Sequence, residues 1–251
     1  MTKKDKQGAL IIIGVSVIFL SLFVLTYRLK ASADNYDHET LCRNNGDYQT
    51  LKLLIDKTDP WTSQDKKKLA ALIRRTKTRL VENERFTIFV LDESGTYSPS
   101  PVFDMCNPGR GDQASSLYEN PRLVQQRFEE NFEAPLDSML TDLLRPGVAP
   151  QSPLLEAIVA LKGSGNKERL MIVSDMMQNS EALSFYRRDN NTSSKASIDQ
   201  ICMSPNLYES IEVHVINRPS ISGAVRQQTR NLWSHCIDRL TPEHVMTWEV
   251  L

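Results

Sequence analysis

Two short segments set carboxylates beside hydroxyls in a pattern suited to a hard cation. The first is Asp56-Lys57-Thr58-Asp59-Pro60, which follows the apolar run at residues 50–56 (TLKLLID). The second is Val173-Ser174-Asp175-Met176, at the end of residues 167–175 (KERLMIVSD). A third element, Ala149-Pro150-Gln151-Ser152-Pro153-Leu154-Leu155-Glu156, sets Ser152 in a loop entering a helix, where serine is a good N-cap. Carboxylate and hydroxyl oxygens gathered at one sheet edge are the ligands that Mg²⁺ or Mn²⁺ prefers, so the two strand-end segments and Ser152 are candidates for such a site. No cysteine or histidine pair offers comparable spacing: Cys42, Cys106, Cys202 and Cys236 contain no Cys-x-x-Cys, and His38, His214, His235 and His244 are scattered. His214 lies inside a strand-like run and reads as an interior or edge residue rather than a base.

The elements that must position these residues alternate in type. Residues 50–56 form a short apolar run of strand length, and residues 63–83 place Leu69, Leu72, Ile73, Thr76 and Leu80 at helical spacing. Residues 85–92 (RFTIFVLD) are rich in β-branched and aromatic types and read as a strand. Residues 93–120 hold three prolines and three glycines and read as a long functional or disulfide-tied loop. A helix is predicted over 121–144, with Pro121 in its first turn and Pro135 kinking or dividing it, and another over 154–161. Strands at 167–175 and 211–217 flank a second polar loop, 176–207; a helix over 224–240 and a final strand at 245–251 close the chain. This alternation predicts an α/β, doubly wound, mostly parallel Rossmann-like sheet. In such sheets ligands bind beyond the carboxyl ends of the strands, where strand order reverses. Asp56 and Asp175 both end strands, so they fall there.

Ahead of this domain, residues 8–27 (GALIIIGVSVIFLSLFVLTY) carry no charge and match the ~30 Å hydrocarbon core as one transmembrane helix. The expected organisation is a basic tail over 1–7, the span over 8–27, a linker over 28–47 and the α/β domain over 48–251. Lys3, Lys4 and Lys6 precede the span and Arg28 and Lys30 follow it, which favours the N-terminus inside and the domain in the periplasm or outside the cell. Four cysteines in an external domain permit two disulfides. With Cys106 and Cys202 both in loops leaving the carboxyl ends of strands, and Cys42 and Cys236 at the opposite end, the expected pairs are Cys106–Cys202 and Cys42–Cys236. The 30 basic against 31 acidic residues, with a sequence pI near 6.4, argue against a nucleic-acid partner.

Asp56 and Thr58 after the first strand, Ser152 at a later helix entry and Asp175 after a later strand together resemble the von Willebrand factor A family and its metal-ion-dependent adhesion site. The family pattern opens Asp-x-Ser-x-Ser, and its third position is Pro60 here; Thr62 replaces the lost hydroxyl only if the loop bends differently. The resemblance covers about residues 48–251. It implies a non-enzymatic protein–protein interaction or assembly module, alone or as a subunit of an envelope complex, whose Mg²⁺ or Mn²⁺ completes its coordination with an acidic residue of the partner. The alternative is a membrane-tethered, metal-dependent phosphohydrolase. Asp56 also resembles the nucleophile position of haloacid-dehalogenase-like phosphatases, but Thr58 stands where that family has its second acid. Arg110-Gly111-Asp112 reads as a chance tripeptide, and Asn190-Asn191-Thr192-Ser193 as exposed loop with overlapping glycosylation patterns.

Overall fold

The structure is a computed structural model that describes residues 3–33, 36–44, 46, 48–91, 100–114, 119–145, 147–161, 168–186, 202, 207–240 and 246–251. The glycosylation pattern at 190–193 lies outside them. Helix α1 (Lys3–Ala33) is followed by β1 (Thr50–Asp56), α2 (Ser63–Arg79), β2 (Arg85–Leu91) and β3 (Pro101–Cys106). Next come α3 (Pro121–Phe128), a π-helical turn (Glu129–Glu133), α4 (Ala134–Leu143) and α5 (Leu154–Ala160). The chain continues through β4 (Glu168–Ser174), β5 (Ser210–Val215), α6 (Gly223–Leu240) and β6 (Met246–Val250).

The six strands form one sheet in the order β3-β2-β1-β4-β5-β6, and every pairing is parallel except β2 with β3. The expected α/β, mostly parallel sheet is therefore present. Strand order reverses between β1 and β4, which are directly paired, so Asp56 and Asp175 meet at the switch point. Period-two alternation divides β1 between two cores: Leu51, Leu53 and Ile55 face α2, α3 and α4, while Leu54 faces α5 and α6. Lys52 also turns toward the α5 side, where its ammonium meets Glu168 at 2.7 Å and donates to the Leu161 carbonyl at 2.6 Å. Pairing and backbone contact satisfy a cation that burial would otherwise penalise.

One element divides as Pro135 led us to expect, and one departs from expectation. The helix predicted over 121–144 is divided by the π turn just before Pro135, whose missing N–H and ring cannot be fitted inside an α-helix. The loop predicted over 93–120 contains β3. Its opening residue is Pro101, and proline is tolerated at the first position of an edge strand, where a missing donor leaves no ladder bond unmade.

That extra strand corrects the disulfide assignment. The bridges are Cys42–Cys106 and Cys202–Cys236, with Cα separations of 4.9 and 5.5 Å, rather than Cys106–Cys202 and Cys42–Cys236. Because β3 runs antiparallel, it returns Cys106 to the amino-terminal edge of the sheet, opposite Arg85, the first residue of β2. There the Cys106 amide donates to the Thr40 carbonyl at 2.7 Å, which holds the Cys42 segment beside it. Cys202 is bonded to Cys236 in the last turns of α6, which places it at the pole where α6 ends.

In α1 the described side chains, residues 12–27, are all exposed, among them Ile12, Phe19, Leu20 and Phe23. Among the described residues no helix is long and apolar enough to cross a membrane. The side chains of residues 8–11, part of the expected span, lie outside the described set.

Non-reducing peptide mapping of the oxidised protein is expected to recover Cys42 linked to Cys106 and Cys202 linked to Cys236. Serine replacement of either pair removes a constraint on the unfolded chain. For closed segments of 64 and 34 residues the loss is about 4 kcal/mol each, read as a lower midpoint in urea. A Cys106–Cys202 peptide would overturn this arrangement of β3.

Candidate functional site

The site is built on the last residue of β1. Asp56 is 5 % exposed, and a carboxylate so placed needs donors. Its Oδ1 accepts from the Thr58 amide at 3.0 Å and the Thr58 hydroxyl at 2.6 Å. Its Oδ2 accepts from the Ser174 hydroxyl at 2.7 Å and the Ser152 hydroxyl at 3.1 Å. Four donors, two from the turn just after β1 and two from distant segments, thus converge on one carboxylate. Parallel register explains the Ser174 contact: Ile55 stands opposite Val173, so the next residues, Asp56 and Ser174, are neighbours across the β1–β4 pair.

Ser152 is fixed by backbone. It and Asn179 exchange both amide–carbonyl bonds at 2.8 Å, a two-residue antiparallel bridge between the loop before α5 and the loop after β4. Beside it, fully buried Gln178 accepts from the Leu155 amide at 2.8 Å and donates to Glu156 at 2.8 Å. Gln178 therefore caps α5, whose N-cap Pro153 supplies no side-chain hydrogen bond.

Asp175 stands one residue beyond Ser174 and reaches the other three by charge. Its carboxylate accepts from the Met177 amide at 2.9 Å, and the Arg218 Nε lies 3.8 Å away. Burial first, and then the neighbouring Asp56 and Asp59, push its carboxyl up to about 7; the Met177 amide and Arg218 pull the other way. Tyr186 registers the same field, its hydroxyl raised to about 12 by burial and then by Asp175, Asp59 and Asp56. Arg218 also meets Asp65 at 3.3 Å, so its charge is divided between two acids. The backbone here is strained: Met176, buried, has φ 64°, a left-handed conformation uncommon for a side-chain-bearing residue. The Ser174 hydroxyl accepts from the Met176 amide at 2.8 Å, and the Trp233 indole donates to the Met176 carbonyl at 2.8 Å.

Of the four residues singled out in the sequence, the structure joins Asp56, Thr58 and Ser152 by hydrogen bonds and sets Asp175 beside them. Pro60 points to solvent, and the Thr62 hydroxyl is engaged in the capping box of α2 with Asp65, so neither contributes. The hydroxyl missing at Pro60 is matched by one the motif reading passed over, Ser174. Its signal was adjacency to Asp175 at a strand end, but only the register shows that it faces Asp56. Arg218, Gln178 and Trp233 left no local signal. Arg110 and Asp112 of the Arg-Gly-Asp tripeptide pair with each other at 3.0 Å.

The donor set fits a hard cation. A hydroxyl has one proton and two lone pairs. With their protons on Asp56, Thr58 and Ser152 keep oxygen lone pairs, and Asp175 adds a carboxylate with excess negative charge around it.

No protein-family model and no curated protein matches this chain. Among solved structures, von Willebrand factor type A from Catenulispora acidiphila is similar with a TM-score of 0.41 and 11% identity. The match covers 81% of this chain and 38% of that one, so this chain spans well under half of its length.

The raised carboxyl of Asp175 has a defined consequence for stability. Its folded value lies above the unfolded 3.8, so the native state keeps a proton that the unfolded chain has released. Ionisation therefore destabilises the fold as pH rises toward 7, and the penalty is complete above it. Asp175→Asn keeps the acceptor for the Met177 amide and removes the charge. Thermal unfolding in chelator is expected to show the variant more stable by about 1–3 kcal/mol at pH 8, the gain disappearing toward pH 4. Equal midpoints at pH 8 would show that Arg218 already compensates the charge.

Proposed function

We propose that this chain is a membrane-anchored protein–protein interaction or assembly module of von Willebrand factor A type, alone or as a subunit of an envelope complex. In this reading Asp56, Thr58, Ser152 and Asp175 make the site for Mg²⁺ or Mn²⁺: Thr58, Ser152 and Asp175 ligate the ion, and Asp56, its lone pairs taken by hydrogen bonds, orients them together with Ser174. The ion supplies positive charge to an acidic residue of the partner protein. The observation that carries the reading is the buried Asp56 carboxylate with the hydroxyls of Thr58, Ser152 and Ser174 all donating to it, at the switch point of the sheet. Asp56 orients the hydroxyl lone pairs, Asp175 adds charge, and Arg218 limits the repulsion between the two acids until a cation or partner arrives.

The same geometry disfavours the phosphohydrolase alternative. A carboxylate nucleophile needs a free oxygen lone pair aimed at phosphorus, whereas both Asp56 oxygens already accept two hydrogen bonds each. Thr58 also offers no proton-transfer group.

Anchoring rests on the exposed apolar side chains of α1 and on the charge-free run over 8–27. The basic tail keeps the N-terminus inside. Two disulfides suit an oxidising compartment for the domain, periplasmic or extracellular.

Calorimetric titration of Mg²⁺ and Mn²⁺ into the oxidised, detergent-solubilised chain is expected to give one-site binding. It is lost in Asp56→Asn and Asp175→Asn and weakens about tenfold per pH unit below 7 as the proton competes for Asp175. Absence of binding to the unaltered chain would overturn the cation reading. For the anchor, the chain is expected to resist alkaline extraction from membranes, and Ile18→Arg to weaken that retention by about 3 kcal/mol. Release of the unaltered chain by alkali would overturn it.

A further inference from the structure

The far edge of the sheet carries a second cluster of ligand-type side chains. Glu212 and His214 are two residues apart on β5 and share one face. Parallel register sets Glu249 of β6 opposite His214. One ligand atom from each of the three lies within 4.8 Å of the others. His214 is 1 % exposed, yet its Nε2 has no hydrogen-bond partner among the described residues, although Glu212 Oε1 is only 2.8 Å away.

Short distance without a hydrogen bond is a directional fact. A hydrogen bond needs the acceptor along the N–H direction, and Glu212 Oε1 lies off it. Two donors at that separation are spaced as adjacent ligands of a shared ion would be. Bonds of about 2.0–2.1 Å meeting near 90° leave their donors about 2.8–3.0 Å apart. Tetrahedral angles would open that distance further. Glu212 and Glu249 are partly exposed, 36 and 50 % at the side chain, which gives an ion a path in and leaves room for water ligands.

We infer that Glu212, His214 and Glu249 form a second cation site, for a six-coordinate divalent transition ion of the Ni²⁺ or Co²⁺ class, which fastens the terminal strand β6 to β5. The imidazole separates this site from the all-oxygen Asp56 set: nitrogen favours later first-row ions, whereas Mg²⁺ prefers oxygen. The inference is independent of the function proposed for Asp56.

Arg79 and Arg75 of α2 add positive charge beside Glu212. Glu249 Oε2 lies 3.6 Å from His214 Nδ1 and 4.0 Å from the Arg75 guanidinium, so Glu249 has to turn away from both to reach an ion on Nε2. Arg75 is therefore the competitor for Glu249. At 51 % exposure its long side chain can swing into solvent when an ion takes its place.

The test is calorimetric titration of Ni²⁺ into the full chain with Mg²⁺ in excess. One-site binding is expected, weakened at least about tenfold by Glu249→Gln and by His214→Gln. Glu249 is half-exposed, so its variant keeps the fold even if that of buried His214 does not. Arg75→Gln is expected to tighten binding several-fold by removing the competing charge. Absence of saturable binding would overturn the inference. So would binding that survives both ligand variants unchanged, which would place the ion on His38, His235 or His244.

Discussion

One buried carboxylate organises the carboxyl-terminal face of this sheet. Withdrawing Asp56 from water costs several kcal/mol, and only hydrogen bonds to the charged form, each contributing about 1.5–3 kcal/mol, offset it. Thr58, Ser152 and Ser174 supply them, so the turn after β1, the loop before α5 and the end of β4 are each held to the same oxygens. Loss of any one donor leaves the others crowded on a charge that no longer balances its burial. The switch point provides the place, since only there do two adjacent parallel strands send their following loops to opposite sides of the sheet.

The opposite pole is held covalently. Both disulfides join segments away from the Asp56 face: one clamps the Cys42 segment to the end of β3, and the other joins Cys202, just before β5, to the last turns of α6. The segment leading from α1 enters beside Cys42, where Tyr36 and Arg43 pair across a short bridge. The segment after α1 thus enters at the pole opposite the Asp56 rim.

How far this was legible in the sequence follows from the range of each constraint. Strand and helix identities depend on local periodicity, so β1, β2, β4, β5 and the helices were readable from apolar spacing. So was the parallel α/β class, because alternation of element types requires crossovers. Asp56 and Asp175 were readable because strand ends in such sheets are predictable positions. β3 was not, because its prolines and polar neighbours look like a loop until β2 offers it an edge. The disulfide assignment then failed with it: one antiparallel strand moves Cys106 from one end of the sheet to the other. Ser174 was hidden for a related reason. A single-residue slip between β1 and β4 would turn its hydroxyl to the other face, and register is a pairwise property that neither strand states alone.

The loop after β4 shows why the long-range contacts matter more to the site than its own sequence does. Left-handed backbone at Met176 costs on the order of 1–3 kcal/mol, so it persists only if its surroundings determine it. Three separate anchors do so: Ser174 receives the Met176 amide, Trp233 donates to its carbonyl, and the Ser152–Asn179 bridge fixes the chain just beyond. Trp233 and Cys236 lie three residues apart on α6 and so occupy one face of that helix. Trp233 grips the start of the loop and Cys236, through Cys202, grips its far part. Helix α6 therefore holds the excursion from β4 to β5 at two described points, Met176 and Cys202. Asp175 sits between the strained residue and the strand. Its position is thus set from three directions, by β4 through Ser174, by α6 through Trp233 and by α5 through Gln178 and Asn179, which lets a charge destabilised by its neighbours be held in place.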